Sequence, residues 1–460
     1  MFKKILCLTL AVVMAISMVA CKKKSTVDVG HVPNENTLCE EYTVLTAFYM
    51  QNKNTDDGSY DSFKEAARLT NVGLECTIPK SNSDFFQAFN LMVASGEMPD
   101  IVQTYNATEF NQLGSEGAFV PLNEYFDIMP NFKKVLDENP QIEENITAYD
   151  GNIYYVPFMP GGTASTGWFI RQDWLDKLGL EAPQGAEELY NILTAFRNND
   201  PNGNGQKDEV PLFGKTVVDE LMPLWGARPD WYIDNGVIKY GPYEENYKTA
   251  MKNIVKWYKE GLIDQEIFTR ADNPRAKLLG DNLGGACVDW FGSTAAYNDT
   301  LAETVPGIKF LPMAPPSGVA LQRRPLNDVY GWGVSASSKN LELAIRYVDF
   351  WLGETGSRLM NFGKEGVHYD MVDGKPVFKI DDIQKTLKAY GSQLDIGFQQ
   401  NFEYERQWIN DIAYEGMMMY VDNDYFVEQF PTVTSRMSKA EVAEYSKLKT
   451  DIDTYADEMM

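Results

Sequence analysis

The stretch GNIYYVPFMPGGTASTGWFIRQDWLDKLGLEAP, residues 151–183, decides how the chain is organised. Residues 152–158 are β-branched and aromatic and predict a strand. Pro160-Gly161-Gly162 interrupts regular structure, and residues 167–171 give a second aromatic strand. Asp173 stands where a helix cap belongs, ahead of Trp174-Leu175-Asp176-Lys177-Leu178. Gly179 is the stop signal and Pro183 lies just beyond. This is the pattern of a chain that leaves one folded block by a strand, crosses a flexible loop and opens a second block. An ordinary strand–loop–strand–helix inside one domain fits the local pattern equally well. Under the two-block reading, the cleft between the blocks is where a ligand sits.

On the N-terminal side, strand signals at 42–50, 73–79 and 101–103 alternate with helix signals at 60–70 and 84–95, the signature of a parallel α/β sheet. On the C-terminal side, helices are expected over 187–198, 244–261 and 341–352. Strands are expected over 285–290, 309–313 and 331–335. Residues 368–378 read as a hairpin with Asp373-Gly374 at its tip, and the chain beyond Asp381 reads as helical. No internal repeat is visible.

Length allows two or three domains: 460 residues, 44% hydrophobic and 23% charged, as in ordinary globular proteins. The net charge of −25, about −27 without Lys3 and Lys4, excludes the basic footprint that nucleic-acid binding needs. It also disfavours polyanionic ligands unless a bound cation or basic cleft residues compensate. With only two histidines, His31 and His368, and His31 in a tail, a Ser-His-Asp triad or a His-rich zinc site has little to draw on. A glycosidase, needing only carboxylates, stays open. Most of the 25 Tyr, 24 Phe and 9 Trp belong to a core, and a surplus on a cleft wall would suit sugar stacking.

Residues 1–20 carry Lys3-Lys4 and a short apolar run, an export signal rather than a membrane span. Met18-Val19-Ala20-Cys21 resembles a bacterial lipobox, which makes Cys21 the lipidated residue, and a polar tether follows over 21–37. Two or more acyl chains anchor stably. Cys39, Cys76 and Cys287 fit no metal spacing and read as free thiols.

Asp200-Pro201-Asn202-Gly203-Asn204-Gly205-Gln206-Lys207-Asp208-Glu209 is the sharpest chemical motif. Oxygen side chains stand at Asp200, Asn202 and Asn204, two glycines permit a tight curl, Gln206 offers a backbone carbonyl, and Asp208 and Glu209 close the set. A hard cation with six or seven oxygen ligands needs such clustering, so structural Ca2+ is expected. An Asn/Gly-rich turn with scattered acids is the plainer alternative.

Several stretches together resemble the family 1 extracellular solute-binding proteins of sugar ABC transporters, in particular the LipO-like lipoproteins and alginate-oligosaccharide binders. They are Ala94-Ser95-Gly96-Glu97-Met98-Pro99-Asp100-Ile101, residues 167–180, the loop 200–211, Gly331-Trp332-Gly333-Val334-Ser335, and Gly366-Val367-His368-Tyr369 with its Asp373-Gly374 turn. The resemblance spans nearly the whole mature chain. It implies a two-lobe, periplasmic-binding-protein-like type II α/β fold with about three hinge crossovers and a central cleft, closing on ligand like a hinged trap. It also implies that the metal loop matches the calcium site of the alginate binders at Asp200, Asn202, Asn204, Asp208 and Glu209. Such proteins run on for several more helices, so an end at Met460 suggests a truncated second lobe.

The expected division is a signal peptide (1–20), a tether (21–37), the first lobe (38–158 and 309–365) and the second lobe (159–308 and 366–460). Candidate sugar contacts are Trp290 with Asp289, then Trp332, Trp168, Trp225, Trp231 and Glu365. The expected function is non-enzymatic: a lipid-anchored protein on the outer face of a bacterial, Gram-positive membrane captures an oligosaccharide and delivers it to an ABC permease. A secreted carbohydrate-active enzyme with paired carboxylates, or a ligand sensor for a membrane kinase, are the rivals.

Overall fold

The computed structural model describes residues 29–49, 59–79, 81–214, 216–270, 274–427 and 436–459. The signal peptide, Cys21 and the tether as far as residue 28 lie outside the described residues.

The first lobe is built on a five-stranded sheet of order β2-β1-β3-β11-β4. Its strands are β1 (Thr43–Phe48), β2 (Val72–Thr77), β3 (Ile101–Thr104), β4 (Val156–Pro157) and β11 (Gly331–Val334). The first three run parallel, while β11 runs antiparallel to both β3 and β4. Parallel neighbours require crossover helices, and the sequence supplies them. In Asp61–Thr70, Phe63, Ala66, Ala67 and Thr70 form the buried stripe, and Asn71 ends the helix in the left-handed region. In Asn82–Ser95, Ser81 caps by accepting from the Asp84 N–H, and Gly96 terminates.

The second lobe holds a four-stranded sheet, β10-β5-β9-β6, formed by β5 (Thr166–Arg171), β6 (Val210–Phe213), β9 (Gly284–Trp290) and β10 (Phe310–Met313). Between the helices Val217–Leu221 and Glu245–Lys259, the antiparallel strands β7 (Trp231–Asp234) and β8 (Val237–Tyr240) make a hairpin at Asn235-Gly236. Hairpin strands β12 (Tyr369–Val372) and β13 (Lys375–Phe378) fall where expected.

Several expectations shift. The strand expected at 152–158 shortens to Val156–Pro157. Asp173 does not cap: it lies inside the first turn of Gln172–Leu178, where it accepts from Arg171 at 2.6 and 2.8 Å and from the Lys309 N–H at 3.1 Å. β10 pairs with β5, so the chain stays with the second sheet to Met313 and rejoins the first at Gly331, later than the 309 boundary. The chain after Asp381 is not continuously helical. Leu394, Ile396 and Phe398 belong to the first-lobe core, whereas Phe402 packs against a second-lobe cluster. The third passage between lobes is therefore at residues 399–401 rather than at 366.

The three passages are laced together. The Met159 N–H donates to the Phe398 carbonyl at 2.9 Å and the Gln400 N–H to the Met159 carbonyl at 2.8 Å, joining the first and third. The Phe158 N–H donates to Tyr330, the Asp328 N–H to Phe158 and the Arg324 N–H to Thr163, joining the first and second. The Arg324 guanidinium reaches all three: it donates to the Gly161 carbonyl and pairs with Glu405, both side chains being buried. Glu220, on the helix Val217–Leu221, is buried against the same region and accepts from the Leu321 backbone N–H. Burial, then the neighbouring Asp219, pushes its carboxyl up to about 7.

Two outcomes follow for stability. Glu405→Gln leaves the buried guanidinium without its counter-charge and lowers the unfolding free energy by about 3 kcal/mol, read from urea midpoints. For Glu220 the native state keeps a proton that the unfolded chain has released. Stability therefore falls as pH rises from about 4.5 through about 7. By about pH 8 the loss is on the order of 3 kcal/mol, and Glu220→Gln flattens that slope.

Candidate functional site

Every strand end that faces the passages borders one cleft. On the first lobe these are the carboxyl ends of β1, β3 and β4 and the start of β11, because Gly331 pairs with both Thr104 and Pro157. On the second they are the start of β5 and the ends of β6, β9 and β10, because Thr166 pairs with Trp290 and Met313 with Trp168. Carboxyl ends of parallel strands are where α/β sheets present ligand sites.

Trp290 closes β9 at this edge and is 56% exposed. The chain turns directly into the helix Phe291–Ala295, so nothing covers the ring from its own strand. Beside it, the Asp289 carboxylate lies 2.9 Å from Arg275 Nε and accepts from the Trp290 N–H at 2.8 Å. Arg275 also donates to Ser293 Oγ and Thr294 Oγ1. One guanidinium thus holds the end of β9 and the following turn together.

The other candidates scatter. Trp168 and Trp332 are each 1% exposed and present no face to a ligand. Both stand on inner strands of their sheets, and Trp332 packs against Phe63 and Tyr347. Trp225 is half-buried and packs edge-on against Trp257. Trp231 is 44% exposed on the β7–β8 hairpin, 4.8 Å from Tyr240. Glu365 lines a polar pocket of about 310 Å3 with Arg68, Arg358 and Lys364, between the helices Asp61–Thr70 and Glu354–Phe362.

At the first-lobe strand ends stands a group absent from the sequence-based candidates: Tyr49, Gln103, Asp328, Tyr330 and Asp395. Gln103 Nε2 donates to the Asp395 carbonyl at 2.8 Å, and Tyr49, buried, bonds to the Asp395 backbone. Burial, then the charge of Asp328, raises the Asp395 carboxyl. Burial, then Asp328 and Asp395, raises the Tyr330 hydroxyl. Tyr49 and Gln103 lie in expected strands, Asp328 and Tyr330 just precede the strand expected at 331–335, and Asp395 falls in the stretch read as helical, where the alternation of Leu394, Ile396 and Phe398 is the one signal against a helix.

The 200–209 loop curls as its spacing requires, with Asp200, Gly203 and Gly205 at positive φ. The Asp200 carboxylate accepts from the N–H groups of Asn204 and Gly205, both at 3.0 Å. Asn202 Oδ1 accepts from the Asn204 N–H, and Asn204 Oδ1 from the Gln206 N–H. Asn204 Nδ2 lies 3.1 Å from both Asp208 oxygens, and Asn202 Nδ2 also reaches Asp208. Glu209 is 3% exposed, and neither of its carboxylate oxygens has a hydrogen-bond partner. Burial, then Asp208 and Asp200, raises its carboxyl. Among the described residues no three His, Cys, Asp or Glu side chains converge closely enough to form a metal group.

The profile of the family described as bacterial extracellular solute-binding protein matches residues 62–357. The fructooligosaccharide ABC transporter substrate-binding protein FusA of Streptococcus pneumoniae is 30% identical over 336 residues, which are 66% of this chain and 60% of FusA. Lipoprotein LipO of Bacillus subtilis is 27% identical over 333 residues, 68% of this chain and 64% of LipO. The match thus spans less than two thirds of these relatives' lengths. The crystal structure of alginate-binding protein AlgQ2 without calcium ion superposes with a TM-score of 0.80 at 39% identity, covering 93% of this chain and 92% of that one. A family match that runs through both sheets, on a fold shared along nearly the whole chain, leaves one assignment: this chain belongs to the bacterial extracellular solute-binding proteins.

Proposed function

We propose that the protein captures an oligosaccharide in the cleft between its lobes and delivers it to an ABC transporter permease, with no covalent chemistry. The observation that carries this reading is Trp290, an exposed ring held at the cleft edge by the Asp289–Arg275 pair. Such a ring stacks on the apolar face of a sugar, and neighbouring carboxylates, amides and tyrosines take its hydroxyls. The proposal draws support from FusA, named as a fructooligosaccharide transporter component, and AlgQ2, named as an alginate binder. Binding energy spent on both lobes at once favours a closed form, which then docks. Cys21, lipidated, would hold the protein at the outer face of the membrane; the relative named as a lipoprotein is consistent with that. No helix among the described residues is long and apolar enough to cross a membrane.

We further propose that the 200–209 loop holds structural Ca2+. Glu209 is the supporting observation, a buried carboxylate with no donor, next to Asp200 and Asp208. The Asn202 and Asn204 amides present nitrogen to Asp208; turned over, each offers the oxygen a hard cation takes. The ion would tie the helix Ala186–Asn198 to β6.

The full-length chain, purified in detergent, gives the tests. A glycan that binds at about 100 times its Kd stabilises by about 2.7 kcal/mol, visible as a raised Tm. Trp290→Ala weakens that glycan by about 2 kcal/mol while leaving the unliganded Tm within a few degrees. Release of sugar products on chromatography would instead make the protein an enzyme. Chelation lowers the Tm and Ca2+ restores it. Glu209→Gln abolishes the response and raises the Tm of the metal-free form, since it removes a buried charge without a partner.

A further inference from the structure

Three Asn-Gly pairs occur in the sequence: Asn202-Gly203, Asn204-Gly205 and Asn235-Gly236. Such a pair is open to attack by its own backbone. The glycine nitrogen loses its proton and attacks the asparagine Cγ. A new N–C bond forms, the Cγ–Nδ2 bond breaks and ammonia leaves. Water then opens the cyclic imide, to aspartate at one carbonyl or to isoaspartate at the other. Glycine favours the attack because no Cβ crowds it. The step needs an unengaged glycine N–H and an asparagine side chain that can swing towards it. A nearby anion opposes it, because the attacking nitrogen must become negative.

Exposure does not separate the three pairs: Asn204, Gly205, Asn235 and Gly236 are all exposed. Hydrogen bonding does. In the 200–209 loop the Gly205 N–H donates to the Asp200 carboxylate at 3.0 Å, and the Gly203 N–H to the Asp200 carbonyl at 3.1 Å. Both asparagine side chains are held as well. Asn202 Oδ1 accepts from the Asn204 N–H and Asn204 Oδ1 from the Gln206 N–H, while both Nδ2 groups donate to Asp208. The two aspartates also oppose negative charge on the glycine nitrogens. At the hairpin tip these restraints are missing. Among the described contacts the Gly236 N–H has no acceptor, and Asn235 is held only through Nδ2, which donates to Asp234 Oδ1 at 2.9 Å. That aspartate is neutralised by Lys239 at 2.8 Å. β7 and β8 pair with no other strand, so the turn can open without breaking a larger sheet.

We propose that Asn235 is a modification site, converted by water to aspartate or isoaspartate, and that the Asp200 carboxylate guards Asn204 against the same reaction. Neither the sugar reading nor the Ca2+ reading is needed for this. Aspartate at 235 sets a second carboxylate beside Asp234. Isoaspartate adds a backbone atom to the two-residue turn that fixes Trp231 opposite Tyr240.

The test incubates the full-length chain, in detergent with a chelator, at mildly alkaline pH. Peptide mapping by mass spectrometry follows each pair, and chromatography separates aspartate from isoaspartate peptides. Asn235 is expected to convert at least about tenfold faster than Asn202 or Asn204, the weight of one hydrogen bond to a charged group. In urea, with the chain unfolded, the three pairs should convert at similar rates. Asp200→Ala should bring Asn204 towards the Asn235 rate and leave Asn202 slow, because the carbonyl that serves Gly203 remains. Loop pairs as fast as Asn235 in the native chain overturn the inference, as does no conversion at Asn235 where the urea sample converts. A difference that persists in urea also overturns it, since the fold would then not be its cause. Equal acceleration of Asn202 and Asn204 in the variant overturns the guarding role of the Asp200 carboxylate. If circular dichroism shows that variant misfolded, the comparison of native and urea samples decides.

Discussion

The cleft depends on the way one guanidinium ties three passages of chain at a single point. Arg324 comes from the second passage, its anionic partner Glu405 lies just beyond the third, and the carbonyl it also serves, Gly161, belongs to the first. A buried ion pair is a poor source of net stability compared with an apolar replacement of the same shape. Its effect here is one of register. None of the passages contains a helix or a named strand of its own to define its path, and Pro160-Gly161-Gly162 is permissive by composition. Fixing all three against one cation fixes which strand ends face each other across the gap.

From that constraint the rest follows in order. The passages leave the first sheet at the end of β4 and re-enter it at the start of β11, adjacent strands of one sheet. They enter and leave the second sheet at the start of β5 and the end of β10, again adjacent. The hinge is therefore narrow, set to one side of two facing rows of strand ends. Trp290 at the end of β9 and, on the first lobe, Gln103 of β3 and Tyr330 ahead of β11 lie on those rows. Glu220 belongs to the same economy. Burial raises this carboxyl to about 7, so it keeps its proton to higher pH than a free glutamate while adding a polar contact to the Leu321 backbone.

What was legible in the sequence was local. The alternation of strand and helix from residue 42 to 104 is carried by spacing, capping and stop residues, and the structure follows it within a few residues. The curl of the 200–209 loop was equally legible, because its turn residues lie within ten consecutive positions. The third passage was not: residues 394–400 take their path from the bridge between Met159 and Gln399 and from packing in a core assembled by distant segments. The same holds for Gln103 and Asp395, which meet only because distant segments converge. The β7–β8 hairpin is a different case, since Asn235-Gly236 carried a turn signal between aromatic and β-branched residues that the reading passed over.

The tryptophans show why aromatic composition alone could not locate the site. Trp168, Trp332 and Trp290 all stand on glycine-punctuated strands, and by sequence they are alike. What separates them is position within the finished sheets. Trp332 has strands on both sides of it, β3 and β4, and Trp168 has β10 and β9. Each is sealed by a helical layer, and burying an indole in that way contributes to holding its lobe together. Trp290 is the last residue of its strand, and the chain bends away at once into a helix. Its ring is left exposed, yet Arg275 fixes the backbone on either side of it through Asp289, Ser293 and Thr294. An apolar ring that is both exposed and held loses little freedom when a flat apolar partner covers it, and gains the full benefit of leaving water. That combination, rather than the presence of tryptophan, is what the proposed sugar contact at this end of β9 rests on.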